Sequence, residues 1–321
     1  MKKKIVALIA VVVIALGGFI GYRSFVGADA IVVDDSAQGQ KISEYAHPES
    51  FITPMQLKDL MDNGKDVIVI GALDPAKGDA PIAGSFTMWR GDYSAAEGVY
   101  PYGGMRNTQA EMEALLSSFG ATPESTIVVY AANSHHDSAR LWWQVKLLGH
   151  EDVRYLDGGL NAWLGAGYPV GGEAPAVTAT EYKAPAPSLA SLASIEDVVA
   201  ALENGTVIDT RSADEEAGKT TTKGAFGPGK IGDALFIEWN KSVGEDTTLL
   251  PIADLKALYS SVEDNNVIAY CQSGVRSAHT LFVLTQALGY ENVKNYDGSW
   301  IEWSYEFYEN GNKDLPTGNA Q

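Results

Sequence analysis

Two stretches decide how this chain folds: LLGHEDVRYLDGGLNAW, residues 147–163, and ALGYENVKNYDGSWIEW, residues 287–303. A shift of 140 residues pairs Gly149 with Gly289, Val153 with Val293, Asp157 with Asp297, Gly158 with Gly298 and Trp163 with Trp303. The register continues upstream, where IVVYA (127–131) lies over VIAYC (267–271) and VIVI (67–70) over VIDT (207–210). One offset held over so many segments marks a duplicated domain.

Within each copy, short continuous apolar runs such as Val67–Ile70, Val207–Ile208, 127–130 and 267–270 predict buried strands. Helix-like spacing appears in MEALLSSF and LKALYSSV, and again in SARLWWQVKLLG and SAHTLFVLTQALG. The last two stop at Gly149 and Gly289, suited to the left-handed residue past a helix end. VRYL and VKNY then lead into Asp-Gly turns. Strands alternating with helices imply an α/β fold, each copy a mainly parallel sheet flanked by helices. We expect a first domain over 45–170 and a second over 191–310. Residues 171–190, eleven of them Gly, Ala or Pro, read as the linker, kept extended by Pro185 and Pro187.

Composition narrows the function. The chain has 321 residues and a net charge of −18, with no basic run beyond the first four residues. Nucleic acid binding is excluded on that ground, since phosphate contacts need a basic surface. A single cysteine excludes an intramolecular disulfide and a multi-cysteine zinc site. Lys2, Lys3 and Lys4 precede an uncharged apolar run from Ile5 to Tyr22. Residues 1–30 therefore read as an export segment, either an uncleaved membrane anchor or a signal cleaved after Ala30. Both place the body of the protein outside the cytoplasm, touching a membrane only through that segment.

The copies differ where a strand gives way to a helix. The second reads Cys271, Gln272, Ser273, Gly274, Val275, Arg276, Ser277; the first reads Ala131, Ala132, Asn133, Ser134, His135, His136, Asp137. Asp209 and Arg211 in the second copy likewise face Val69 and Gly71 in the first. Core filler alone would not require cysteine, glycine and arginine to vanish together while the scaffold persists. The pattern points to one active copy and one silent copy. A loop opening a helix at the carboxyl edge of a sheet aims backbone N–H groups inward, and Gly274 permits a backbone that a Cβ disfavours. The helix dipole and Arg276 should hold Cys271 as a thiolate, the reactive form.

Cys271 to Ser277 resembles the active-site loop of rhodanese-type sulfurtransferases, C-x-x-G-x-R-[ST]. The stretch SAHTLFVLTQALGYENVKNYDGSWIEW is similar to the segment after the nucleophile in two-domain thiosulfate sulfurtransferases, and VIDTRSADE (207–215) to their D-x-R-S element. GKIGDALFIEW (229–239) is similar to a variant of the family's G-H-I-x-G-A element, with Lys230 in place of the usual histidine. The first copy resembles the silent N-terminal domain. The resemblance spans roughly residues 50 to 310. It implies that Cys271 takes the outer sulfur of thiosulfate as a persulfide and passes it to cyanide or a thiol. Arg276 and the loop amides would stabilise the departing sulfite, and Gln272, Ser273, Gly274, Val275 and Ser277 would form the substrate loop. Asp209 and Arg211 would support it, Asp209 by orienting the loop or Arg276 or else as a strand-end turn carboxylate, and Arg211 by a salt bridge within its own domain rather than by touching substrate. No metal and no cofactor are implied. Only four residues separate Cys271 from Arg276, one fewer than in cysteine-dependent phosphatases, which suits sulfur better than phosphate. The alternative is a carrier or anion-binding module that hands sulfur only to a protein partner.

Other candidates read as structural. Ser277 is expected to cap its helix rather than to hydrogen-bond the Cys271 sulfur, and His135 and His136 to lie in a surface loop. Asp157 and Asp297, present in both copies, should serve turns. Trp142, Trp143, Trp163, Trp300 and Trp303 should fill the core and the domain interface, with Trp300 a candidate for the pocket wall.

Overall fold

A run that is apolar on both faces can sit only in a sheet covered on both sides. The computed structural model describes residues 32–319 apart from Lys65, Ser134, Asp264 and Asn265, and its strands are of this kind. In the first copy these are β1 (Phe51–Ile52), β2 (Val67–Ala72), β3 (Phe86–Met88), β4 (Thr126–Ala131) and β5 (Val153–Leu156). They form a fully parallel sheet in the order β1-β5-β4-β2-β3. The second copy supplies β6 (Leu192–Ala193), β7 (Thr206–Asp209), β8 (Lys230–Ile231), β9 (Leu235–Phe236), β10 (Val267–Tyr270), β11 (Val293–Tyr296) and β12 (Thr317–Gly318). Five of these repeat the same parallel order, β6-β11-β10-β7-β9, while β8 and β12 form a separate antiparallel pair.

The helices of the first half are α1 (Ala37–Ser43), α2 (Pro54–Asp62), α3 (Gln109–Ser118), α4 (His135–Leu147) and α5 (Gly159–Gly165). Those of the second are α6 (Ile195–Asn204), α7 (Ala213–Glu216), α8 (Ile252–Leu258), α9 (Val275–Phe282) and α10 (Ser299–Ser304). Thr53, Thr108, Ser194 and Ser212 close capping boxes at α2, α3, α6 and α7, each with an acid or amide three residues on. The expected helix in LKALYSSV is shorter than its apolar spacing suggests. It stops at Leu258, and Tyr259 is buried as its cap. Gly149 and Gly289 take the left-handed backbone expected of them (φ +73° and +78°). Residues 171–190 are almost free of regular structure, yet they are pinned: Ser188 N donates to Leu147 O, and the Tyr182 ring stacks on His150.

The copies do not keep separate cores. The largest apolar cluster runs through both, because α4 and α9 pack against each other. Phe282 of α9 takes Phe51, Trp142 and Tyr155 around its ring at centroid distances of 4.7 to 4.9 Å. Burying such a ring contributes about 1.5–3 kcal/mol, here gained only when the halves meet. The export segment expected at residues 1–30 lies outside the described residues. Among these, no helix is long and apolar enough to cross a membrane.

Candidate active site

Strand β10 lies between β11 and β7, so the chain leaves its carboxyl end near the middle of the sheet and turns through Cys271–Gly274 into α9. Gly274 is left-handed (φ +72°), and a Cβ there would come within 2.8 Å of Arg140 Nη1 and Asp297 Oδ1. Both conformation and space therefore require glycine. Ser299, itself left-handed (φ +50°), holds the loop from the facing turn. Its Oγ accepts the N–H groups of Cys271 (3.1 Å) and Gly274 (3.0 Å) and donates to Tyr296 O (2.6 Å). Two of the amides expected to face a substrate are thus spent on the loop itself. The strained backbone at Ser299 is what brings its hydroxyl to both.

Cys271 is buried. Burial alone raises a thiol's pKa, but the Arg276 charge, the Ser277 hydroxyl and the Ser277 and Ser273 amides outweigh it and hold Cys271 below its ordinary value. Ser277 is no cap. It sits in the first turn of α9, its Oγ 3.6 Å from Cys271 Sγ and 2.6 Å from Asn295 Oδ1. The Asn295 amide is fixed in turn by donating to Gly274 O at 2.9 Å. The hydroxyl has one proton, so it serves the sulfur or the amide at any moment.

Arg276 reaches the sulfur by its charge. Both its terminal nitrogens are closed on Glu215, at 2.7 and 2.9 Å. Glu215 also completes the capping box of α7 and accepts from Thr222 at 2.6 Å. Although burial opposes it, the bonds to Arg276 and Thr222 keep this carboxyl well below the usual range. Lys230 pairs with the adjacent Glu216 at 2.7 Å. The S-x-x-E pattern at Ser212–Glu215 signals the cap in the sequence; nothing local signals the second role.

Asp209 and Arg211 pair with each other at 2.6 Å rather than with the loop. Asp209 accepts the Tyr270 hydroxyl as well, and Arg211 donates to Gly229 O and lies over the Trp300 ring, with its Cζ 5.0 Å from the centroid. They brace the ends of β7 and β10, and Trp300 is buried against them, its Nε1 donating to Gly227 O. Val275 is buried at the start of α9. Gln272 is buried with neither side-chain amide atom partnered among the described residues. Ser273 meets the first copy, where a Cβ on Gly104 would lie 2.8 Å from its own.

The first copy builds the rest. Arg140 of α4 donates to Gly274 O (3.2 Å) and pairs with Asp297 (2.5 Å). His135 and His136 are not on a surface loop; they begin α4 and pack into the interface. The His136 ring meets Trp239 edge-on at 4.4 Å, and Trp239 meets His279 of α9 at 5.3 Å. Ser134, the partner of Gly274 in the repeat, lies outside the described residues. Sequence reading missed Glu215, Ser299, Asn295 and Arg140. Among the described residues, no group of three or more His, Cys, Asp or Glu is arranged to hold a metal ion.

Residues 53–166 and 194–306 both match the family model of the rhodanese-like domain. The chain is 40% identical over 200 residues, 60% of its own length and 71% of the relative's, to a Saccharopolyspora erythraea protein named "Putative thiosulfate sulfurtransferase". It is 33% identical over 210 residues, 61% and 74% of the two chains, to the sulfur carrier protein TtuD of Thermus thermophilus. Among solved structures, an anaerobic ergothioneine biosynthesis enzyme from Chlorobium limicola shares the fold, with a TM-score of 0.75 at 21% identity over 86% of this chain and 72% of that one.

Proposed function

Because this chain belongs to the rhodanese-like family and keeps the cysteine loop in only one of its two copies, we propose that it is a thiosulfate-type sulfurtransferase working through a Cys271 persulfide. One observation carries the reading: a buried thiol held below its ordinary pKa beside a guanidinium, a hydroxyl and two amides. In the first step the thiolate attacks the outer sulfur of thiosulfate. The Cys271 S–S bond forms, the S–S bond of the donor breaks, and its electron pair leaves with sulfite. In the second, cyanide or a thiolate takes the terminal sulfur and returns Cys271 as a thiolate. The Arg276 field and the Ser273 and Ser277 amides favour the sulfur-centred charge in both states. The lysine-flanked apolar run at 5–22 supports a location outside the cytoplasm.

The test is incubation with thiosulfate and cyanide, reading thiocyanate and the intact mass. The expected result is thiocyanate release and one added sulfur on Cys271, both lost in Cys271→Ser. Absence of both in the intact chain overturns the proposal. A stable persulfide without turnover on small acceptors would favour a carrier delivering to a protein, a reading supported by the similarity to TtuD.

A further inference from the structure

The loop's own cation is already engaged. With both terminal nitrogens of Arg276 on Glu215, the pair presents little net charge to an arriving anion. Another guanidinium stands nearby, on the other copy. Arg90 follows β3 of the silent half, and its Cζ lies 5.2 Å from the centroid of the Trp89 ring. Its Nε donates to Asp137 Oδ1 (2.8 Å), and its Nη2 lies 3.3 Å from Asp137 Oδ2 and 3.2 Å from His136 Nε2. Those contacts fix one edge of the group. Nη1 has no hydrogen-bond partner among the described residues, and the side chain is 47% exposed.

His136 and Asp137 occupy the repeat positions of Arg276 and Ser277. The turn that lost its catalytic residues is therefore the turn that now holds Arg90. The groups also sense one another. The geometry joins them: the His136 ring touches Arg90 on one side and Trp239 on the other, and Trp239 meets His279, one turn along α9 from Arg276. Arg140, one turn along α4 from His136, reaches Gly274 O at 3.2 Å. In keeping with this, burial pushes the His136 imidazole down and the charges of Arg90 and Arg276 push it further. Burial disfavours the Arg90 charge, but Asp137 restores it and the Cys271 charge adds to it. Next to the nucleophile, the Gln272 amide is nine-tenths buried without a partner. A buried polar group in that state is costly unless something else bonds to it.

We propose that Arg90 of the silent copy, with the Gln272 amide, recognises the anionic end of the sulfur donor, a small sulfonate-like oxyanion whose outer sulfur faces Cys271. Donor selection then belongs to the repeat that lost its nucleophile. The substrate class rests on the sulfurtransferase reading; the anion site itself does not.

Two measurements on the intact chain separate these claims. The first compares alkylation of Cys271 by iodoacetate and by iodoacetamide, which differ mainly in charge. Arg90→Gln is expected to lower the ratio of the two rates about tenfold, the scale of one charge-assisted hydrogen bond, and Arg90→Lys to restore most of it. The second is the KM for thiosulfate, expected to rise about tenfold in Arg90→Gln with kcat changed much less. If the chain turns over no thiosulfate but the alkylation ratio still falls, the sulfurtransferase reading fails and the anion site stands. An unchanged ratio, or equal loss with both reagents, overturns the site.

Discussion

Asp157 and Asp297, one at the turn of each copy, both reach across to accept a backbone N–H from the opposite copy. Leu249 N donates to Asp157 Oδ1 at 2.8 Å, and Arg106 N donates to Asp297 Oδ2 at 3.0 Å. The repeated carboxylates are therefore clasps between the halves as well as turn residues. Their cations differ. Asp157 has Lys41, which also donates to Thr248 and Leu249 O, whereas Asp297 has the buried Arg140. Asp297→Ala should destabilise by about 3–5 kcal/mol, the range for stranding one member of a buried pair. It should also impair persulfide formation, because Arg140 steadies Gly274 O. Asp157→Ala, whose lysine keeps other acceptors, should lose about 1–3 kcal/mol with per-site activity retained. Urea denaturation and thiocyanate assays check both.

Arg276 and Glu215 should move the Cys271 titration in opposite directions. Removing the guanidinium in Arg276→Gln takes away the main charge opposing burial, so the pH profile of iodoacetamide reaction should shift upward. Glu215→Gln leaves the guanidinium charge uncompensated, and its profile should shift downward. Sulfur transfer should fall about 100-fold in Arg276→Gln, the scale of losing one positioned electrostatic contact. As for stability, a carboxyl depressed on folding stabilises above its unfolded pKa and loses that effect as pH falls through the folded one. The Glu215 contribution should thus be present in full above about pH 4.3 and be lost progressively as pH falls below it, as urea midpoints taken across the acid range would show.

Ser299 offers a test of the loop scaffold. Ser299→Ala leaves the amides of Cys271 and Gly274 without their acceptor, at about 1–3 kcal/mol for each buried group, and keeps the unfavourable backbone. Ser299→Gly also loses the hydroxyl but removes the strain at φ +50°. The glycine variant should be the more stable of the two in urea. Both should be slow in sulfur transfer.

His135, His136 and His279 meet where α4 and α9 begin, and burial lowers all three imidazoles below their ordinary value. The Asp157 charge opposes this at His135, whose Nδ1 lies 3.0 Å from the Tyr155 hydroxyl. Arg90, Arg276 and His135 reinforce it at His136, and His135 and His136 reinforce it at His279. The unfolded chain therefore binds more protons below about pH 6.5, and stability should fall with pH there. Each imidazole that stays neutral removes up to about 1.4 kcal/mol per pH unit. Urea midpoints at pH 7.5 and 5.5 should separate in the intact chain and draw closer in His279→Gln. Equal separation in both would refute this origin.

The duplication was legible because scaffold residues repeat at one offset, and the candidate loop stood out because Cys271, Gly274 and Arg276 stand where the first copy has none of them. Local signals also gave Gly149, Gly289 and the strands. The cross-copy contacts were not legible. Arg140 and Gly274 are 134 residues apart, and no periodicity links them. Two adjacent histidines in a polar stretch look exposed, but the helix that begins there turns its first residues into an interface that only the second copy supplies. Ser299 was hidden because a serine at positive φ leaves no mark on composition or spacing.

The apolar cluster shared by α4 and α9 bears on how such a chain can be altered. A half without the cysteine loop would ordinarily be free to drift, shorten or be cut away. Here its loss would uncover Phe282 and the back of α9, so the second half on its own should be unstable and prone to aggregation. The two repeats are accordingly expected to unfold in a single transition, and substitutions deep in the first should register in the reactivity of a cysteine it does not contain.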